Sequence, residues 1–206
     1  MLIFMSKAKP SVIFLRGLGD HRPMTQGQSF LAGLWRLYGI ELVQVRIGWS
    51  DAEPFEAKLE RIIKLIDKLH GQGRPVSLLG ISAGASAALN AYTARPDKID
   101  KVVFVCGKFH NPKPVNPRYF LKNPAFKVSL ELADQNLPKL TAADKAKILS
   151  IHPVYDELIR VSDMIIPGAH NKTILSAGHI PSIFLGLTIY SSIAARFIKS
   201  NARAVE

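Results

Sequence analysis

Short apolar runs alternate along this chain with longer segments in which apolar residues recur every three or four positions, the pattern of strands and helices taken in turn. Ser11–Leu15, Leu42–Ile47, the run from Val76, Val102–Cys106, Ile148–Ile151 and Lys172–Ser176 are short and rich in Val, Ile and Leu, and they read as strands of one sheet. Strands apolar on both faces need cover on both sides, which a mainly parallel sheet between helical layers supplies. Gln28–Tyr38 carries Phe30, Leu31, Leu34, Trp35 and Tyr38 at helical spacing, so one face should be buried on the sheet. Ser50 with Glu53, just before Pro54, predicts a capping box. It opens a helix whose stripe Phe55, Leu59, Ile62, Ile63, Ile66 and Leu69 leaves Lys58, Lys64 and Lys68 on the polar side. Arg95-Pro96 stops the helix that follows the third strand. The last helix, Ile180–Ile198, is apolar for only 14 residues between Pro181 and Arg196, too short to span a bilayer, and should dock on the sheet.

Two stretches depart from this alternation. From 107 to 145, prolines 112, 114, 117, 124 and 138 interleave with Phe109, Tyr119, Phe120 and Phe126 and no clean strand is visible. Such an excursion is either a small lid or pocket wall beside a site, or a helical crossover with proline-rich ends. The other stretch is Val76–Asn90, which passes through Gly80-Ile81-Ser82-Ala83-Gly84 into small helix formers. This is the G-x-S-x-G pattern in the context of strand, sharp turn and helix. Gly80 and Gly84 give the backbones room to pass, and the turn leaves the unpaired N–H groups of a helix N-terminus facing the serine oxygen. A serine at a strand end is also a common helix cap, so partner residues must decide.

A serine hydroxyl becomes nucleophilic when a base lies within hydrogen-bond reach and a third group fixes the tautomer of that base. His179 follows the Lys172–Ser176 strand in a loop after Ala177-Gly178, and Asp156 follows the Ile148–Ile151 strand. Asp163 is the rival acid, seven residues further on. His70 at a helix end and His170 in a turn read as solvated, His21 and His110 lie on loops able to border a pocket, and His152 is near Asp156. None has the company of a metal site, and no metal or organic cofactor is expected. After the first strand, Arg16-Gly17-Leu18-Gly19-Asp20 is a glycine-bearing loop. A dinucleotide turn would need a third glycine where Arg22 stands and an acidic residue after the second strand, and both are missing. The loop instead suits donation of a backbone N–H to an oxyanion.

Composition narrows the setting. At 206 residues and 48% hydrophobic content the chain can bury one substantial core, with no linker to divide it, so residues 1–206 read as a single domain. Cys106 is the sole cysteine and reads as a buried strand thiol, which excludes an internal disulfide. The 27 basic and 16 acidic residues give +11, but the charges are dispersed with no basic run or nucleic-acid module, so no nucleic-acid partner is expected. The first residues lack the arrangement of a secretory signal, making the cytoplasm the expected location; oligomeric state is left open.

With Gly80–Gly84, the Gly17-Leu18-Gly19 loop, and Asp156 and His179 at their strand ends, the chain from Ser11 to Ile198 resembles the α/β-hydrolases. In its size and in Lys147–Asp156 through Ala177–Ile180 it resembles small bacterial lipases and esterases without a large cap domain. The resemblance implies an α/β-hydrolase fold of minimal three-layer form and a serine hydrolase acting on small-molecule carboxylic esters. A thioesterase, amidase or acyltransferase using the same triad, or a non-catalytic binding protein of this fold, are the alternatives. No stable membrane insertion is expected from the short apolar stretch of the last helix. The resemblance implies Ser82 as nucleophile, His179 as base and Asp156 as its orienting acid, with the backbone N–H groups of Leu18 and Ala83 as oxyanion donors. Gly17, Phe109, Tyr119 and Phe120 are the expected pocket residues. Arg16 stands where many such enzymes have histidine before the oxyanion glycine.

Overall fold

The computed structural model describes residues 9–19 and 23–200. Its six strands are β1 (Ser11–Leu15), β2 (Glu41–Val45), β3 (Val76–Ile81), β4 (Lys101–Val105), β5 (Ile148–Tyr155) and β6 (His170–Ala177). They form one sheet in the order β2-β1-β3-β4-β5-β6, and every neighbouring pair is parallel. The helices are α1 (Pro23–Gly33), α2 (Phe55–Gly71), α3 (Gly84–Ala94), α4 (Pro117–Lys122), α5 (Pro124–Asn136), α6 (Ala142–Ala146), α7 (His179–Leu187) and α8 (Ser191–Lys199).

The strand side chains divide the core in two. Ile13, Leu15, Leu78, Val102 and Phe104 pack with Ile62 and Ile66 of α2, Ala87 and Ala88 of α3, and Phe126 and Leu130 of α5. Val12, Phe14, Leu79, Ile81, Val103 and Val105 pack on the other side with Ala32 of α1, Trp35, Ile183 and Leu187 of α7, and Ala194 and Ile198 of α8. Alternate residues of the same strand therefore serve opposite helical layers, which is why these runs are continuously apolar. Strand order reverses after β1, because β2 lies on one side of it and β3 on the other. That reversal opens a crevice at the carboxyl ends of β1 and β3, where ligands of open parallel sheets bind.

Several local expectations are corrected. The Ser50–Glu53 capping box is absent: α2 is preceded by Pro54, which makes no side-chain cap, and it is Asp51 that accepts from the Glu53 N–H. Lys58 is buried, because Asp51 and Glu53 fold back over the first turn of α2 and both carboxylates pair with its ammonium. Phe30 is exposed while Trp35 is buried, since the segment changes to a tighter 3-10 turn at Leu34–Tyr38 and its apolar face rotates. The last helix is two, α7 and α8, meeting at a 52° bend. Among the described residues no single helix is long and apolar enough to cross a membrane.

Candidate active site

β3 ends at Ile81, and the chain turns through Ser82 into α3. Ser82 has φ +51°, a left-handed conformation that a non-glycine residue adopts only where the surrounding structure enforces it. Here the enforcement is backbone bonding: the Ser82 N–H donates to the Val105 carbonyl at 3.2 Å, and the Ser82 carbonyl accepts from Lys108 N–H at 2.9 Å. The flanking glycines are required by contact. A Cβ on Gly80 would sit 2.6 Å from Ala85 Cα, and one on Gly84 only 2.1 Å from the Leu15 carbonyl oxygen.

Asp156 lies immediately beyond β5. Its Oδ1 accepts from the N–H groups of Leu158 and Ile159 at 2.8 and 2.9 Å, and its Oδ2 meets His179 Nδ1 at 2.7 Å. Burial pushes the Asp156 carboxyl up, but the His179 bond and the two backbone N–H groups outweigh it and hold the group below its usual range, ionised at neutral pH. His179 is the first residue of α7, not a loop residue, and it is buried. Gly178 before it has φ +89° and donates its N–H to the Tyr155 carbonyl at the end of β5, while Glu157 Oε2 accepts from His179 N–H at 2.9 Å. So held, the ring sets Nε2 2.9 Å from Ser82 Oγ. With Nδ1 donating to the carboxylate, Nε2 is the acceptor able to take the serine proton.

Two ~500 Å³ cavities open at Ser82. Leu18, Ser82, Tyr119, Leu158 and His179 line both, so Tyr119 and Leu158 stand at the division between them. Gly17 belongs to the second, and a Cβ there would press to 3.0 Å from Ser82 Cβ. Leu18 and Ala83 both line the first, and neither N–H has a backbone acceptor among the described residues. The β1 loop is braced from behind by Trp49, whose indole N–H donates to the Arg16 carbonyl at 3.1 Å. Trp49 is itself buried between Phe55 and Phe126.

Phe109 is not a pocket residue. It is fully buried against Phe104, because the chain after β4 turns down into the core before it emerges. Phe120 is likewise turned inward, onto Phe126, and leaves Tyr119 of α4 facing the cavities. Within 107–145, α5 is bolted to α3: Ser86 and Ser129 share a 2.7 Å hydroxyl bond, and Asn90 Nδ2 donates to the Ser129 carbonyl at 2.8 Å. Of the other histidines, His70 is exposed, and His170 is exposed but begins β6 instead of lying in a turn, because pairing with β5 starts at Leu149–His170, two residues before Lys172. His110 is partly buried against Phe109, His152 is buried with Nδ1 at 3.2 Å from the Pro153 carbonyl, and His21 lies outside the described residues.

The rival carboxylate, Asp163, does not reach His179. It sits in a 3-10 turn, Val161–Met164, where its Oδ2 takes a 2.7 Å bond from Lys108 Nζ and its Oδ1 a 3.0 Å bond from Asn111 Nδ2. Burial raises its carboxyl pKa, and the bonds from Lys108 and Asn111 more than reverse this, leaving it low. Both partners of this ion pair are buried, and both line the first cavity. Sequence reasoning missed Lys108, Glu157 and Trp49. A charged residue one glycine beyond the apolar run Val102–Cys106 was the one available signal for Lys108.

No protein-family model matches the sequence, and no curated protein does. Solved structures do match across nearly the whole chain. A metagenome-derived lipolytic enzyme is 13% identical with a TM-score of 0.64 over 94% of both chains. Carboxyl esterase 2 of the mycorrhizal fungus Tuber melanosporum is 17% identical with a TM-score of 0.67, over 95% of this chain and 80% of that one. A thioesterase domain from the curacin biosynthetic pathway is 17% identical with a TM-score of 0.61, over 95% of this chain and 92% of that one. The chain has the α/β-hydrolase fold.

Proposed function

We propose that this protein is a serine hydrolase that cleaves carboxylic esters through an acyl-enzyme on Ser82. The observation that carries the reading is the continuous relay from Ser82 Oγ to His179 Nε2 (2.9 Å) and from His179 Nδ1 to Asp156 Oδ2 (2.7 Å) on a left-handed turn between two cavities. Ser82 Oγ bonds to the ester carbonyl carbon as its proton passes to His179 Nε2, and the carbonyl oxygen becomes an oxyanion facing the N–H groups of Leu18 and Ala83. Such donors are worth about 3 kcal/mol each in acyl-transfer sites. Collapse of the tetrahedral species breaks the bond to the alkoxy oxygen, which takes the proton from His179. A water then attacks the acyl-serine carbonyl carbon as one of its protons passes to His179 Nε2, and collapse breaks the bond to Ser82 Oγ, which takes that proton back from His179 as the acid leaves. Asp156 stays ionised throughout, steadying the imidazolium.

The same relay can open a thioester, and the likeness to a thioesterase domain makes this the competing substrate class. Hydrolysis of p-nitrophenyl butyrate by the native protein, abolished in Ser82→Ala, supports the proposal. Butyryl thioester turnover exceeding ester turnover by a hundredfold would move the assignment to thioesters. Properly folded native protein inactive on both would overturn it.

A further inference from the structure

The two cavities at Ser82 are chemically unlike. The second is lined by Ile81, Ile180 and Ile183 together with Gln28, Ser50, Lys122 and Asn123. The first has in its wall the buried pair Lys108–Asp163. A buried ion pair is a poor stabiliser, since apolar residues of similar volume usually serve the fold as well or better. Its placement here also is not incidental to the serine, because the Lys108 backbone N–H is bonded to the Ser82 carbonyl. Each oxygen of Asp163 accepts one bond, one from Lys108 and one from Asn111. The Lys108 ammonium carries three donors and spends one on Asp163. The pair therefore presents a surplus of donors, held rigidly by a carboxylate, in the wall of a cavity that begins at Ser82.

Resting on the ester-hydrolase reading, we propose that Lys108 is a specificity-determining residue that hydrogen-bonds an acceptor oxygen, a ketone or amide carbonyl, on the substrate arm that enters the first cavity. A free carboxylate on that arm is disfavoured, because three carboxylates, Asp156, Glu157 and Asp163, line the same cavity against two cations, Lys108 and Arg160. A site built to satisfy an acceptor discriminates against the analogue that lacks it more strongly than an apolar pocket discriminates by one methylene.

Two ester pairs test this, one for each arm: p-nitrophenyl 4-oxopentanoate against p-nitrophenyl pentanoate, and 4-oxopentyl acetate against pentyl acetate. The native protein should prefer the keto ester by tenfold or more in kcat/KM in one pair. The double variant Lys108→Met/Asp163→Leu, which replaces the ion pair by apolar groups of similar volume, should bring that ratio to within twofold of one. No preference in either pair, or a preference that survives the double variant, overturns the inference and leaves the Ser82 reading intact. If none of the four esters is hydrolysed, it is the ester-hydrolase reading that fails. Binding of 4-oxopentanamide against pentanamide to Ser82→Ala protein, followed by saturation-transfer NMR, then decides: selective, Lys108-dependent transfer to the keto compound supports the inference, and equal transfer overturns it.

Discussion

Replacing Asp156 by Asn probes the relay without removing a side chain. The Asn carbonyl oxygen can keep both bonds from Leu158 and Ile159 N–H, now held at 2.8 and 2.9 Å, so its amide group must occupy the place of Oδ2 beside His179 Nδ1. An amide N–H cannot accept from Nδ1–H across a 2.7 Å contact, so the ring adopts the tautomer protonated at Nε2. Nε2 then cannot take the Ser82 proton, and the imidazolium loses its ionised neighbour. Wrong-tautomer substitutions of this kind in serine relays cost about 10⁴ in kcat, or roughly 5.4 kcal/mol at about 1.36 kcal/mol per decade. The loop around 156 keeps its backbone bonds, so loss of folding stability should be on the order of 1 kcal/mol. Steady-state hydrolysis of p-nitrophenyl butyrate and thermal unfolding of both proteins measure the two quantities. Asp163→Asn, which breaks the pair with Lys108, should show the opposite balance: less than tenfold in kcat for this apolar ester, with a larger stability loss of about 3 kcal/mol. A kcat for Asp156→Asn within tenfold of native, or the reverse ranking of the two carboxylates, would refute the tautomer account.

Gly84→Ala places a Cβ against the backbone carbonyl of Leu15, which cannot give way without moving β1, so it should cost about 3 kcal/mol or more in urea unfolding and most of the activity; native-like stability would contradict the close packing of the elbow. Trp49→Phe removes the indole donor from the Arg16 carbonyl while keeping most of the apolar contact, and should lower kcat by about tenfold for a stability change on the order of 1–2 kcal/mol; an unchanged kcat would show that the β1 loop needs no bracing. Asp156 and Asp163 both titrate lower when folded than unfolded, so each adds stability above the unfolded value, about 3.9, that is lost as pH falls through its depressed folded value. Urea midpoints should therefore drop steeply below about pH 4, and Asp156→Asn should flatten that slope. With α5 tied to α3 and cavities of ~500 Å³ each, p-nitrophenyl esters should gain up to about 0.8 kcal/mol, near fourfold in kcat/KM, per methylene and then decline, with no surge at a lipid interface.

Much of the fold was legible because a parallel sheet covered on both faces writes each strand as an unbroken apolar run, and all six runs became strands. Ser82, Asp156 and His179 could be placed for a related reason: in such a sheet the carboxyl ends of the strands converge on one edge, so residues just past three different runs meet there. What could not be read depended on where loops carry their side chains. Phe109 and Tyr119 are equally aromatic in sequence, yet the turn after β4 buries one in the core and leaves the other at the cavities. Lys58 looked like a polar-face lysine, because nothing local to α2 announces that Asp51 and Glu53 return over it. The Lys108–Asp163 pair joins residues 55 positions apart, and only the pairing of β4 with β5 brings them together.

The central claim is that Ser82 is the nucleophile, and covalent capture tests it most directly. Native protein treated with a fluorophosphonate should gain one phosphonyl adduct by intact-mass spectrometry, mapped to the peptide containing Ser82. Labelling should be absent from Ser82→Ala and slowed at least a thousandfold in His179→Ala. Folded native protein that takes up no adduct, or takes it up at another residue, would contradict the account.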